Sequence, residues 1–345
     1  MQVQDFADPA ADNSAGRAAE RPSRRPISFV QIELTNHCNY HCRFCPQSQW
    51  RRPEFAAIPF DRPKGYMAFD LFRRIVDEAN EVTDCLNFSF FGEPMMHPEF
   101  LRCMDYLKGR SPKLSVVMNT NLSLATREIF AKLIEVGLSD LRISLDAATA
   151  ETYDAVRPGG HFVDLDGLPC RDQRFEVICG KAEYWHALSD HRPTRHVFTV
   201  NSRNLDELPA FCRRWLPRLG RDDAILAKNV LTYGGKIADT LLRENPCNVW
   251  DINPLTVDWR GRVSPCNLDT NMDLDIGSVQ ESGLLDLHRS QKRRELEGLS
   301  KARCTRPCSH CIDGNNWTRN VLLRRGGVWR DEVMELFAQP AAASG

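Results

Sequence analysis

The sequence predicts an α/β protein, a partial (β/α)6 TIM-like barrel followed by a smaller domain of short strands and turns. Two observations carry this: strand-like apolar runs alternate with helical stretches up to about residue 232, and the pattern changes after Tyr233-Gly234-Gly235. Residues 28–35 (SFVQIELT) alternate apolar and polar, with Val30, Ile32 and Leu34 on one face, as a first strand should. A helical stretch from Asp70 to Val82 follows. Further strand runs come at Leu86 to Phe91, Leu114 to Met118, Leu141 to Leu145, His196 to Val200 and Ala224 to Ala227. These set four regions: a disordered tail (1–27), the barrel (28–235), a cysteine-bearing domain (236–325) and a C-terminal helix and tail (326–345). The segment from Pro158 to Pro193 fits no simple βα connection and reads as a lid or an elaborated helix.

With 345 residues, 42% of them hydrophobic, the chain can bury a sizeable core. A formal charge of −1 provides no basic field for nucleic acid or an anionic membrane, so a small polar substrate is expected as partner. No signal-peptide core or membrane-length apolar run occurs, and a cytoplasmic location is expected. In that setting the 13 cysteines point to metal or redox work rather than to a disulfide framework.

Cys38, Cys42 and Cys45 lie on one loop directly after the first strand, in the spacing CxxxCxxC. Three thiolates on a cube of four irons leave one iron open to an exchangeable ligand. A zinc site is the alternative, although zinc usually takes four protein ligands and no paired knuckle lies nearby. Farther on, Cys247, Cys266 and the pair Cys308 and Cys311 supply four thiolates, enough to close a cluster or a zinc site. Cys304 repeats the CxxxCxxC spacing with Cys308 and Cys311 and could replace one of the four.

The first cysteine loop resembles the radical S-adenosylmethionine (SAM) superfamily, and the later motifs follow in that superfamily's order. Phe44 stands before the third cysteine, where the resemblance implies packing near the adenine of SAM. Gly92-Glu93-Pro94 matches the GEP element, whose backbone binds the methionine amino group. Asn119-Thr120-Asn121 matches the TNG element, with Leu122 in place of its glycine. Ser144-Leu145-Asp146 matches an SLD element that contacts the ribose or carboxylate of SAM, and Arg157 stands where relatives often carry an arginine. Singly, each of these has an ordinary reading as a turn or a helix cap.

The resemblance implies a SAM-binding 4Fe-4S cluster that cleaves SAM reductively, giving a radical that takes hydrogen from an unactivated C–H bond, with a flavodoxin- or ferredoxin-type electron donor. The C-terminal cysteines resemble the SPASM extension in its shortened twitch form, which implies Cys247, Cys266, Cys308 and Cys311 around one auxiliary 4Fe-4S cluster. Their spacing is similar to that of the 2-deoxy-scyllo-inosamine dehydrogenase type, implying oxidation of a secondary alcohol on an aminocyclitol or amino sugar in antibiotic biosynthesis. Epimerisation of a sugar or peptide with a cysteine hydrogen donor, peptide modification, and a non-enzymatic iron-sulfur or zinc scaffold or sensor are the alternatives. Cys179, Cys212 and Cys304 are the candidate donors, and Cys85, Cys103 and Cys170 read as core or surface residues. Glu33, Arg142 and Asn201 are polar strand positions that alternation could point inward, towards substrate or towards a buried partner. His97 reads as a local structural residue.

Overall fold

The computed structural model describes residues 25–51, 60–109, 114–188, 191–237, 239, 241, 247–313, 321–325, 333 and 337. In chain order the elements are β1 (Val30–Ile32), α1 (Phe69–Val82), β2 (Cys85–Phe88), α2 (Phe100–Leu107), β3 (Ser115–Thr120), α3 (Arg127–Val136), β4 (Asp140–Ser144) and α4 (Ala150–Val156). Then come β5 (Phe162–Val163), β6 (Pro169–Cys170), α5 (Arg174–Ala187), β7 (Thr194–Val200), α6 (Leu208–Trp215) and β8 (Ala224–Asn229). The C-terminal part adds α7 (Val249–Ile252), β9 (Leu255–Val257), β10 (Arg262–Ser264), β11 (Gly277–Ser278), α8 (Leu284–Arg289), α9 (Gln291–Lys301) and β12 (Val321–Arg324).

Six strands, β1, β2, β3, β4, β7 and β8, pair in parallel in that order, which is the partial (β/α)6 barrel the sequence predicts. Their inter-strand helices have the apolar stripe that packing on a sheet requires: α1 buries Phe72, Ile75, Val76 and Ala79, the i, i+3, i+4, i+7 set of one face. Local signals fix the helix ends. Thr126 caps α3 by accepting from the Ile129 amide, and Gly137, at φ +74°, ends it in the left-handed conformation that glycine tolerates. The Pro158 to Pro193 segment resolves into the β5–β6 hairpin and the full-length helix α5.

Two boundaries differ from expectation. Residues 1–24 of the expected tail lie outside the described residues, but Ile27 is buried and Arg25 pairs with Asp84, so packing begins before residue 28. The cysteine-bearing region is not a detached unit, because its strands continue the barrel sheet. β9 pairs in parallel with β1, β10 and β11 extend it, and β12 runs antiparallel to β8 at the opposite edge. Both edges of the six-stranded barrel are therefore covered, satisfying backbone groups that would otherwise be exposed. The expected C-terminal helix and tail lie outside the described residues apart from buried Val333 and Phe337.

Candidate active site between two cysteine clusters

Every parallel strand ends at the same mouth, and the cysteine loop leaves it from β1. Cys38, Cys42 and Cys45 face one cavity together with Phe44, Gly92, Glu93, Asn119, Ser144 and Arg157. Burial, then the neighbouring Cys42 charge, pushes the Cys38 thiol up and the Cys45 thiol up to about 12. Loading a metal there must expel protons.

The GEP turn is locked to this loop. Gly92 has φ +83°, and a Cβ built on it would stand 2.1 Å from the Thr35 carbonyl oxygen, so only glycine fits. The Glu93 amide donates to the His37 carbonyl at 2.8 Å. The Glu93 carboxylate accepts from Thr120 Oγ1 at 2.7 Å and from the Asn121 amide at 2.8 Å, while burial raises its carboxyl to about 7. Leu122, at φ +59°, adopts the backbone that suits glycine in the TNG element. Lys181 on α5 holds it there, donating to the Leu122 and Ser123 carbonyls at 3.2 and 3.0 Å.

Two motif residues, Asp146 and Pro94, lie off the cavity, and two strand positions, Glu33 and Asn201, take the buried partners that were one of their two expected roles. Asp146 is fully buried and does not line the cavity: its carboxylate accepts from Arg157 Nε and the Thr199 amide. It therefore positions Arg157, whose guanidinium lies 5.5 Å from the Phe44 ring and 3.5 Å from Cys42 Sγ. Pro94 opens a single helical turn and is buried away from the cavity. Glu33 makes no wall at all: its two carboxylate oxygens take both Arg62 Nη groups at 2.7 Å, with Asp258 at 3.6 Å from the same arginine. Asn201 is consumed by the turn after β7, donating to the Thr199 carbonyl and accepting from the Arg203 amide. His97 bridges the Met67 carbonyl and the Glu99 amide, the local role expected of it.

A second cavity of about 200 Å³ adjoins the first and is bounded by Cys247, Cys266, Cys308 and Cys311. Phe90, Asn119, Lys228, Asn229 and Tyr233 line both cavities. Asp313 ties the Cys308–Cys311 loop to the turn after β8 by accepting from Thr232 Oγ1 at 2.7 Å and the Gly234 amide at 3.2 Å. Asp269 shapes the Cys266 loop through Ser264 Oγ and the Asp273 and Leu274 amides. Cys304 lies outside, exposed, with its thiol on the Ala302 carbonyl at 3.3 Å. Three thiolates face the first cavity and four bound the second, the donor sets of an iron-sulfur cube with one open iron and of a closed cluster.

Of the barrel interior the sequence reading named Asn119 and Arg142 but missed Asn87 and Asn229. Asn87 on β2, Asn119 on β3 and Asn229 on β8 have buried amide atoms without a hydrogen-bond partner, and all three line the second cavity. Arg142, one of the expected inward positions, also reaches this cavity, although its Nε is held by Asp140 at 2.8 Å. The available signal was an asparagine at an inward position of an otherwise apolar strand, as in Cys85–Phe88.

Residues 32–166 match the Radical SAM superfamily and residues 247–312 match SPASM, an iron-sulfur cluster-binding domain. The chain is thus a radical SAM enzyme with a SPASM domain, and its cofactors are a SAM-binding 4Fe-4S cluster, SAM and an auxiliary cluster. It is 25% identical over 333 residues to the tungsten-containing aldehyde ferredoxin oxidoreductase cofactor-modifying protein of Pyrococcus furiosus, covering 83% of this chain and 87% of that one. Among solved structures, BtrN in complex with AdoMet and 2-DOIA superposes with TM-score 0.51 at 14% identity, covering 79% of this chain and 86% of BtrN. Streptococcus suis SuiB, bound to S-adenosylmethionine, superposes with TM-score 0.59 at 12% identity, covering 84% of this chain and 72% of SuiB. At such identities both likenesses concern the fold. Among the described residues no helix is long and apolar enough to cross a membrane.

Proposed function

We propose that this enzyme oxidises a secondary alcohol on a small polar substrate, of the aminocyclitol or amino-sugar class, with Cys38, Cys42 and Cys45 holding the SAM-binding cluster. In the same reading Cys247, Cys266, Cys308 and Cys311 hold the auxiliary cluster. Bound there, these groups supply hydrogen-atom abstraction at one end of the cavity and a one-electron acceptor at the other. A flavodoxin- or ferredoxin-type donor provides the initial electron, and the reducing cytoplasm is the compartment that such clusters suit.

The observation that carries the reading is the cavity between the two cysteine sets, whose walls hold the unpartnered amides of Asn87, Asn119 and Asn229. Barrel interiors are normally filled by branched apolar side chains. Buried amides without partners are costly unless a ligand supplies hydrogen bonds, and hydroxyl and amino groups around a small ring do so. Phe44 and Arg157 form the face on which SAM is held, and the Glu93 turn fixes that face relative to the cysteines. The fate of the substrate radical separates oxidation from epimerisation. Among the described residues, the cysteines lining either cavity all belong to the two ligand sets, and the candidate donors Cys179 and Cys212 are buried in α5 and α6. No thiol is thereby poised to return a hydrogen atom, which favours oxidation.

Modification of a cofactor is the reading favoured by the relative from Pyrococcus furiosus, and modification of a peptide is a further alternative. The two are separated by anaerobic assay of the reconstituted enzyme with aminocyclitols, amino sugars and peptides, followed by mass spectrometry. The expected product is a ketone about two mass units lighter than its alcohol, with carbinol deuterium recovered in 5′-deoxyadenosine. A product of unchanged mass carrying solvent deuterium at carbon, or turnover of peptides alone, overturns the proposal.

A further inference from the structure

We propose a zinc site at the end of the barrel opposite the catalytic mouth, formed by His186, His191 and Asp223. His186 lies in the last turn of α5, His191 in the connection to β7, and Asp223 directly before β8, so the three meet where β7 and β8 begin. Their ligand atoms all lie within 4.8 Å of one another, the only such His, Cys, Asp or Glu group among the described residues.

The spacing is that of a coordination shell. Asp223 Oδ2 is 3.2 Å from His186 Nδ1 and 3.1 Å from His191 Nε2. Ligands about 2.1 Å from a tetrahedral zinc ion stand about 3.4 Å apart, so small adjustments admit the metal. The outer contacts also fit. His191 Nδ1 faces the Leu188 carbonyl at 3.0 Å, and since a carbonyl only accepts, Nδ1 carries a proton and Nε2 is the ring nitrogen presented to the Asp223 carboxylate. A positive charge joins Nε2 to the carboxylate: a proton in the metal-free protein, the metal ion in the loaded one. His186 mirrors the arrangement: its Nε2 is engaged by His196 Nε2 at 2.6 Å, which leaves Nδ1 turned to Asp223. Metal-bound histidines typically secure their second ring nitrogen in this way.

Asp223 is itself fixed, accepting from the Thr194 amide at 2.9 Å and the Gly220 amide at 2.7 Å. Gly220 keeps the approach open, since a Cβ there would stand 2.9 Å from Oδ2 and 3.5 Å from His191 Nε2. The side chains of His186 and Asp223 are 6% and 1% exposed, whereas His191 is 20% exposed and marks the way in. Two imidazoles and one carboxylate suit zinc, with water completing the shell. Placed here, the ion fastens the end of α5 to the starts of β7 and β8 and takes no part in the reaction, in keeping with the stabilising role of this face of a barrel.

The test starts from anaerobically reconstituted holoenzyme, whose cysteines are occupied by iron. It is treated with a chelator, exposed to Zn2+ alone and desalted, and zinc and iron are counted by mass spectrometry while thermal unfolding is followed. The expected result is about one zinc per chain in addition to a full iron complement, with a midpoint that rises with zinc concentration. In His191→Ala zinc affinity falls by at least about 100-fold and the zinc-dependent midpoint shift disappears, while iron content and 5′-deoxyadenosine formation stay at wild-type levels. His186→Ala serves as the second variant. Failure of the wild-type holoenzyme to retain zinc, or retention of zinc at wild-type level by both variants, overturns the proposal.

Discussion

Replacing Gly92 with alanine is the sharpest test of how the GEP turn and the cysteine loop are coupled. The added Cβ would stand 2.1 Å from the Thr35 carbonyl oxygen and 2.8 Å from that of His37, where ordinary contact begins at 3.4 Å. Relieving the closer clash requires a displacement of more than 1 Å, and both obstacles are backbone three residues or fewer from Cys38. The φ of +83° adds roughly 1–2 kcal/mol of strain for a residue with a Cβ. A displacement of about 1 Å between reacting groups commonly costs about 100-fold in rate. Gly92→Ala should therefore form 5′-deoxyadenosine at least about 100-fold more slowly, measured under single-turnover conditions with dithionite and corrected for bound iron. A rate within about threefold of wild type would mean that the turn does not set the geometry of SAM.

Cys42→Ala should abolish 5′-deoxyadenosine, and joint replacement of Cys38, Cys42 and Cys45 should lower iron from about eight to about four per chain; eight irons in that variant would show that the cysteines are misassigned. Glu33→Gln leaves the buried Arg62 guanidinium without its bidentate partner and should cost about 3–5 kcal/mol in chemical denaturation, whereas Glu33→Leu combined with Arg62→Met should recover most of it. Asn87→Ala and Asn229→Ala remove amides that lack protein partners, so stability should hold while substrate-dependent turnover falls by about tenfold. Burial lowers Lys181 from 10.5 to about 8, so above about pH 8 the folded state sheds a proton that the unfolded state keeps; stability should rise with pH between about 8 and 10.5, and Lys181→Met should flatten that rise in parallel denaturation series.

What was legible in the sequence was what is encoded locally. Cys38, Cys42 and Cys45 share one loop, and Gly92, Asn119 and Ser144 each sit at a strand end, so order and spacing alone brought them to one mouth. The strand runs likewise located the six barrel strands to within a few residues, though not β9, which joins them in parallel at the β1 edge. What failed depended on partners distant in sequence. Glu33 was open between substrate and a buried partner, and only Arg62 and Asp258, from two other parts of the chain, decide for the partner. Asp146 matched its motif, yet its carboxylate is taken by Arg157 and the Thr199 amide, which come from later elements, rather than facing the cavity. The unpartnered amides became visible only when the barrel curved Asn87, Asn119 and Asn229 around one space.

The pairing of β9 with β1 joins Leu255 to Val30, and this has a consequence for biosynthesis. At about 5–20 residues per second, a ribosome takes on the order of tens of seconds to make the chain between these two partners. Throughout that time the first barrel strand has an unsatisfied edge, and the loop that holds Cys38 is reachable from the side later occupied by the C-terminal strands. Messages truncated before Leu255 would yield chains with a permanently open β1 edge, prone to pair with one another and destined for proteolysis.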